Sequence, residues 1–245
     1  MASEPKAVVG CFVTGTDTGV GKTLASSALL HALRRHHARV VGMKPIASGL
    51  IPHPEHAGQM VSEDVLALRA ASSIVVPPEL DNPVALPEPL SPHLSAARAG
   101  QRIEIGPLVE RLQVLQAQAD AVVVEGAGGW LVPLNERDTM ADLARAMALP
   151  VVLVVGLRLG CLNHAMLSAQ AIRASGLRLA GWIANHIDLE MACPAENLSY
   201  LKAHMDAPLL GLLPWQAQPD AQACASELVL PRAWRTVVTA QGSAP

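Results

Sequence analysis

The run Gly15-Thr16-Asp17-Thr18-Gly19-Val20-Gly21-Lys22-Thr23 combines residue types that can hold a chain of phosphates. Glycines let the backbone bend so that successive N–H groups converge on phosphate oxygens. A lysine adds a positive charge beside them, and a threonine hydroxyl can ligate magnesium. The run follows an apolar stretch, residues 7–14, and precedes Leu24-Ala25-Ser26-Ser27-Ala28-Leu29-Leu30, whose spacing suits a helix. Strand, glycine-rich turn and helix start together predict a phosphate site with the helix's partial positive charge behind it. The spacing departs from G-x-x-x-x-G-K-[ST] at one point, because Thr16 stands where the first glycine is expected and Gly15 comes one residue earlier.

The elements that must position this loop alternate along the chain. Residues 39–45 read as a second strand that stops at Pro45, with Lys44 last before the break. Residues 51–62 carry Pro52, Pro54 and Gly58 and read as a loop, and 63–71 as a helix with Ser62 in the capping position. The proline-rich segment 76–92 cannot lie inside a central strand or helix and is expected to wrap the surface near the ligand. Leu108, Val109, Leu112 and Leu115 mark an amphipathic helix over 105–119, and 121–125 is a buried strand. Further helices are expected over 139–147, 163–175, 195–204 and near Ala221, and strands over 151–155, 179–185 and 209–213. This alternation predicts a three-layer α/β fold of the P-loop NTPase type with a mostly parallel central sheet. Residues 1–245 are expected to form one domain, with 241–245 a frayed tail.

In such a sheet, ligands bind beyond the carboxyl ends of the strands, which selects Lys22, Thr23, Lys44, Glu125, Arg158, Asn163, Asn185, Pro214 and Trp215. Glu125, followed by Gly126-Ala127-Gly128-Gly129, reads as a metal-binding carboxylate, or as a solvated acid at a turn. Asp64 reads as an acid in a helix's first turn, where the dipole favours it, or as a second metal ligand. Lys44 either snorkels to water or joins Lys22 over one phosphate site, where two lysines would offset developing negative charge. Asn163 is either the cap of its helix or part of a carboxylate site at the helix N-terminus. His36, His37, His53 and His56 read as solvated loop residues, and His93 in Ser91-Pro92-His93 is left open.

Composition narrows the classes. Charged residues are 16% of the 245 residues, below the roughly 25% of an average soluble chain, as a sheet covered on both faces requires. A net charge of −3 with no Lys/Arg block speaks against a nucleic-acid or anionic-membrane surface. The longest apolar run, 150–157, is far shorter than the roughly 20 residues of a membrane span. No secretory signal is visible, so a cytoplasmic protein acting on small molecules is expected. Four scattered cysteines without a C-x-x-C pair read as reduced thiols.

With these residues in hand, the chain resembles the dethiobiotin synthase family. The resemblance lies in Gly-Thr-Asp-Thr-Gly-Val-Gly-Lys-Thr at 15–23, Lys-Pro-Ile-Ala-Ser-Gly at 44–49, Ser-Pro-His at 91–93 and Val-Glu-Gly-Ala-Gly-Gly-Trp at 124–130. Gly-Cys-Leu-Asn-His-Ala at 160–165, Gly-Trp-Ile-Ala-Asn at 181–185 and Gly-Leu-Leu-Pro-Trp at 211–215 complete an ordered set. It implies an ATP- and magnesium-dependent ligase of biotin biosynthesis that joins CO2 to 7,8-diaminononanoate through a carbamate and a carbamic-phosphoric anhydride. By position, Gly19, Val20, Gly21, Lys22, Thr23 and Leu24 would hold the phosphates, with Thr18 beside the transferred group. Thr23, Asp64 and Glu125 would hold magnesium, and Lys44 would stabilise carbamate and phosphoryl group. Gly126, Ala127, Gly128, Asn185, His186, Pro214, Trp215 and Gln216 would complete the nucleotide site, and Ser48 with Gly128 would touch the substrate. Cys161, Leu162 and Asn163 resemble the site that takes a substrate carboxylate from the neighbouring subunit, which implies a homodimer with composite sites. Gly19 stands where some members have glutamate, and Asn197 where some have tyrosine, with Tyr200 three residues on. A switch ATPase of the partition and septum-placement kind is the alternative; Asp17 occupies the place of the lysine such proteins use.

Overall fold

A computed structural model describes residues 8–235, so the expected tail at 241–245 and the start of the first apolar stretch lie outside the described residues. That stretch forms β1 (Val9–Gly15), and the helix beyond the loop is α1 (Lys22–Leu33). β2 (Val40–Met43) ends one residue before Lys44, and β3 (Ile46–Ser48) follows the proline. The expected loop at 51–62 is pinned by a two-residue antiparallel pair, β4 (Ile51–Pro52) with β5 (Met60–Val61). α2 (Glu63–Ala71) has the expected bounds, but the Ser62 side chain does not cap it; the Ser62 carbonyl accepts the Leu66 N–H instead.

The proline-rich segment holds more structure than its composition suggests. α3 (Pro78–Asp81) and α4 (Pro92–Arg98) each begin on a proline, where the missing N–H costs nothing. Between them, β6 (Val84–Leu86) pairs in parallel with β3 in a separate two-stranded sheet. The central layers follow from α5 (Ile105–Gln118), β7 (Ala121–Gly129), α6 (Met140–Met147), β8 (Val151–Leu157), α7 (Cys161–Ala174), β9 (Leu179–His186), α8 (Pro194–His204), β10 (Leu209–Leu213) and the short α9 (Ala221–Cys224). α7 starts at Cys161, so Asn163 lies within its first turn and Gly160, at φ 95°, holds the N-cap. The capping reading of Asn163 is corrected by that glycine, which takes a left-handed conformation a side chain would resist.

Six strands form one sheet in the order β10-β9-β8-β1-β7-β2, every neighbouring pair parallel. Period-two alternation sends successive side chains to opposite faces. Cys11 and Val13 pack with Ala25, Leu29 and Leu68 from α1 and α2, whereas Phe12 packs with Leu112, Met140 and Trp130 on the other side. Runs such as Val151–Leu157, buried at every position, are apolar on both faces because helices cover both. Cys11, Cys161 and Cys224 are buried free thiols and Cys193 is exposed. No described helix is long and apolar enough to cross a membrane.

The entry to α6 is held by Asp142, whose carboxylate accepts from both the Thr139 N–H (2.8 Å) and its hydroxyl (2.7 Å). The Thr139 bonds keep this carboxyl below the usual carboxylate range. Replacing Asp142 with Ala is expected to cost about 1 kcal/mol in urea unfolding at neutral pH. Because the folded-state pKa is the lower one, that contribution is present above the unfolded value of about 4 and fades as pH falls through the folded one. The gap between variant and parent should therefore narrow in acid; a gap that widens there would contradict the assignment.

Candidate active site

The loop between β1 and α1 turns on Gly19 (φ 74°) and Gly21 (φ 84°). Its floor is set by Asn185 at the end of β9, whose amide donates to the Val20 carbonyl at 3.0 Å. A Cβ on Gly21 would sit 2.0 Å from the Asn185 amide nitrogen, while one on Gly19 would meet open space. Lys22 is buried and its ammonium donates to the Asp17 carbonyl at 2.9 Å. Burial, followed by the nearby Lys44 charge, lowers the Lys22 pKa to about 8 against the pull of Glu125, Asp64 and Asp17. The Asp17 carboxylate accepts from the Thr18 N–H at 2.7 Å and pairs with Arg158 from the segment after β8.

Lys44 and Glu125 lie beside this loop, 4% and 0% exposed. The Lys44 ammonium spends its three N–H groups on Glu125 Oε1 at 2.6 Å, Asp64 Oδ2 at 2.8 Å and the Gly126 carbonyl at 3.2 Å. Burial alone would lower the Lys44 pKa, but Glu125 and Asp64 outweigh it and hold it above its ordinary value. Burial would likewise raise Asp64, yet Lys44, with help from Thr23 and Lys22, keeps it below the carboxylate range. The Thr23 hydroxyl reaches Asp64 Oδ1 at 2.6 Å and Glu125 Oε1 at 3.0 Å. Glu125 Oε2 is buried without a hydrogen-bond partner. One hydroxyl and two carboxylates, with a buried oxygen still to be satisfied, form an all-oxygen set that suits a hard divalent cation such as magnesium.

These groups open onto one cavity of about 600 Å³. Thr18, Gly19, Gly21, Lys22, Thr23, Lys44, Asp64 and Glu125 line its charged part, and Ser48, Ala127 and Gly128 line it further along. The Ser48 hydroxyl is buried without a partner. Between Glu125 and Gly129 the pairing with β1 skips residues, a bulge that turns Ala127 and Gly128 into the cavity. Gly126 stays behind them against Phe12 and Met140, and the side chain of Val20 is buried under the loop. The proline-rich segment contributes Pro89, Leu90, Ser91 and Pro92 to the wall, as its expected place near the ligand requires. His93 meets the Ser91 hydroxyl at 3.2 Å.

Other expected residues lie outside this cavity. Asn185 is occupied by the loop, and His186 beside it has a buried Nε2 without a partner. Pro214 and Trp215 follow β10 on the exposed surface, Trp215 at 42%, and Gln216 accepts the Asp220 N–H. Cys161, Leu162 and Asn163 begin α7, beside the fully exposed Leu159. His37 is tied to the Trp234 carbonyl rather than solvated, and His53 accepts from the Glu55 and His56 N–H groups. Among the described residues no group of three or more His, Cys, Asp or Glu could hold a metal; Thr23 joins Asp64 and Glu125 through its hydroxyl contacts to both. Sequence reasoning missed the Arg158–Asp17 pair, Val132 in the cavity wall, and the fork of Arg69 on Asp81.

A parallel sheet with this glycine-lysine-threonine loop at the end of a central strand defines the P-loop nucleotide-binding class. The family model described as AAA domain matches residues 10–223. The ATP-dependent dethiobiotin synthetase BioD of Xanthomonas axonopodis pv. citri is 50% identical over 221 residues, which cover 90% of this chain and 97% of that protein. Its counterpart in Ralstonia nicotianae is 52% identical over 218 residues, covering 89% and 94%. The chain belongs to the ATP-dependent dethiobiotin synthetase family. The septum site-determining protein MinD of Pyrococcus horikoshii, solved with Mg-ADP, superposes with a TM-score of 0.52 over 84% of this chain and 81% of its own; at 18% identity it shares the fold.

Gly21→Ala combines a left-handed backbone with a clash against Asn185. It is expected to weaken ATP binding roughly tenfold to a hundredfold by calorimetry, while Gly19→Ala, strained but unobstructed, does less. Equal effects at the two positions would remove Asn185 as the floor of the loop.

Proposed function

We propose that the chain catalyses ATP-dependent closure of a cyclic urea from 7,8-diaminononanoate and CO2, giving dethiobiotin for biotin biosynthesis. The observation that carries this reading is the convergence of Lys22 and Lys44 with a hydroxyl and two carboxylates in one cavity, in a chain half identical to dethiobiotin synthetases. In the proposed sequence one substrate amine adds to CO2 and loses a proton, giving a carbamate. A carbamate oxygen attacks the γ-phosphorus and ADP leaves. The second amine then attacks the carbonyl carbon of the mixed anhydride, phosphate departs and the ring closes.

Phosphoryl transfer asks a protein mainly for positioning and charge neutralisation. Lys22 and the amides from Gly19 to Leu24 hold the phosphates, and Lys44 lies between γ-phosphate and carbamate, attracting both anions. Thr18, at the cavity wall, contacts the transferred group. Thr23, Asp64 and Glu125 would hold magnesium, which would offset the negative charge of the phosphates. The Lys44 ammonium, 2.6 Å from Glu125 and 2.8 Å from Asp64, would be the group that meets the reacting anions. Ser48 and Gly128 receive the diamine, supported by the unpartnered Ser48 hydroxyl. Gly126 and Ala127 complete the phosphate side, and Asn185, His186, Pro214, Trp215 and Gln216 frame adenine.

Cys161, Leu162 and Asn163 lie outside the cavity, which supports their serving a neighbouring protomer's substrate carboxylate in a homodimer. Leu159 at 95% exposure and Leu167 at 56% sit next to them as apolar surface for such a contact.

Phosphate release from ATP and magnesium is expected to require both the diamine and bicarbonate. Lys44→Gln should lower turnover roughly a hundredfold while ATP still binds. Release that ignores the diamine, or a Lys44→Gln enzyme with parental turnover, would contradict the reading.

A further inference from the structure

Lys44 comes after β2 has ended and before Pro45, so the central sheet does not fix its main chain. Two neighbouring residues do. The Lys44 N–H donates to the Asp81 carbonyl at 2.7 Å, and the Lys44 carbonyl accepts from the Asn82 side-chain amide, also at 2.7 Å. Asp81 and Asn82 sit at the end of α3, a single turn with little rigidity of its own. The buried Asp81 carboxylate is instead anchored by a two-pronged contact with Arg69, Nε to Oδ2 and Nη2 to Oδ1, each 2.6 Å. Such a fork fixes orientation as well as distance.

Arg69 lies in the last turn of α2, the nine-residue helix whose first turn carries Asp64. That helix therefore bears on Lys44 in two ways. Asp64 holds the ammonium directly, and Arg69, through Asp81, holds the main chain from which the ammonium projects. We propose that Arg69, Asp81 and Asn82 are positioning residues for Lys44, setting the point at which its ammonium meets the transferring phosphoryl group. The inference rests on the role given to Lys44 above. The plainer account is a buried ion pair that only staples α2 to α3. It predicts lower melting temperature with unaltered catalysis in whatever remains folded.

Steady-state kinetics on the full chain, at temperatures well below melting, separates the two. Asp81→Asn, Arg69→Gln and Asn82→Ala are each expected to lower kcat roughly tenfold to a hundredfold, with KM for ATP nearly unchanged, the mark of an interaction felt in the transition state. Arg69→Lys keeps the charge but loses the fork and should recover part of the loss. Asp81→Asn placed on Lys44→Gln should cost nothing further, because both act through one ammonium. If Asp81→Asn fails to fold, Asn82→Ala carries the test, since it removes the amide from the Lys44 carbonyl and leaves the ion pair in place. Parental kcat in the folded variants beside a crippled Lys44→Gln overturns the inference and leaves the role of Lys44 standing. Additive losses in the double variant overturn it too, and full activity of Lys44→Gln removes both.

Discussion

A lysine ammonium 2.6 Å from a carboxylate with no exposed surface is the contact on which this molecule depends. Removing two such charges from water is expensive, and their attraction returns the cost only with good geometry and further hydrogen bonds. Here the geometry comes from strand register. β2 and β7 are neighbours with Met43 opposite Val124, which brings the next residues, Lys44 and Glu125, side by side at the carboxyl edge of the sheet. A slip of one residue would turn Glu125 to the opposite face of its strand. The apolar runs that lock this register on both faces are thus as much part of the site as the charges.

The same edge receives the phosphate loop because β1 lies between β7 and β8. The chain first runs from β1 outward to β2, and later crosses from β7 to β8 on the other side of β1. Ligands in open α/β sheets bind where the strand order reverses in this way. Lys22, Lys44, Asp64 and Glu125 balance in formal charge within a small volume. Lys44 is bonded to both carboxylates and Lys22 to the Asp17 carbonyl, and in the proposed reaction the two ammonium groups meet the negative charge that triphosphate and carbamate bring.

Local signals carried much of this. The helix bounds of α2, the strand at β10 and the phosphate loop are each written in a few consecutive residues, through periodicity and through glycine at turns. Lys44 was ambiguous because snorkelling and burial differ only in what surrounds the side chain; Glu125 and Asp64, 81 and 20 residues away, decide it. Asn163 looked like a cap because the type fits, but the backbone turns at Gly160 and takes the cap position there. The prolines of 76–92 correctly excluded a central strand and concealed β6, which pairs at the margin with β3. The Arg158–Asp17 and Arg69–Asp81 pairs join segments whose meeting is a product of the fold and leaves no mark in either segment alone.

Lys22 and Lys44 converge in one cavity, and in the proposed reaction they meet the charge that develops as a carbamate oxygen attacks ATP. Single-turnover reaction with carbon dioxide carrying a heavy-oxygen label, quenched before exchange with water, tests this most directly. The phosphate released should carry one labelled oxygen, transferred when the ring closes and the anhydride breaks. Unlabelled phosphate, formed alongside dethiobiotin, would show that no carbamate oxygen had been phosphorylated.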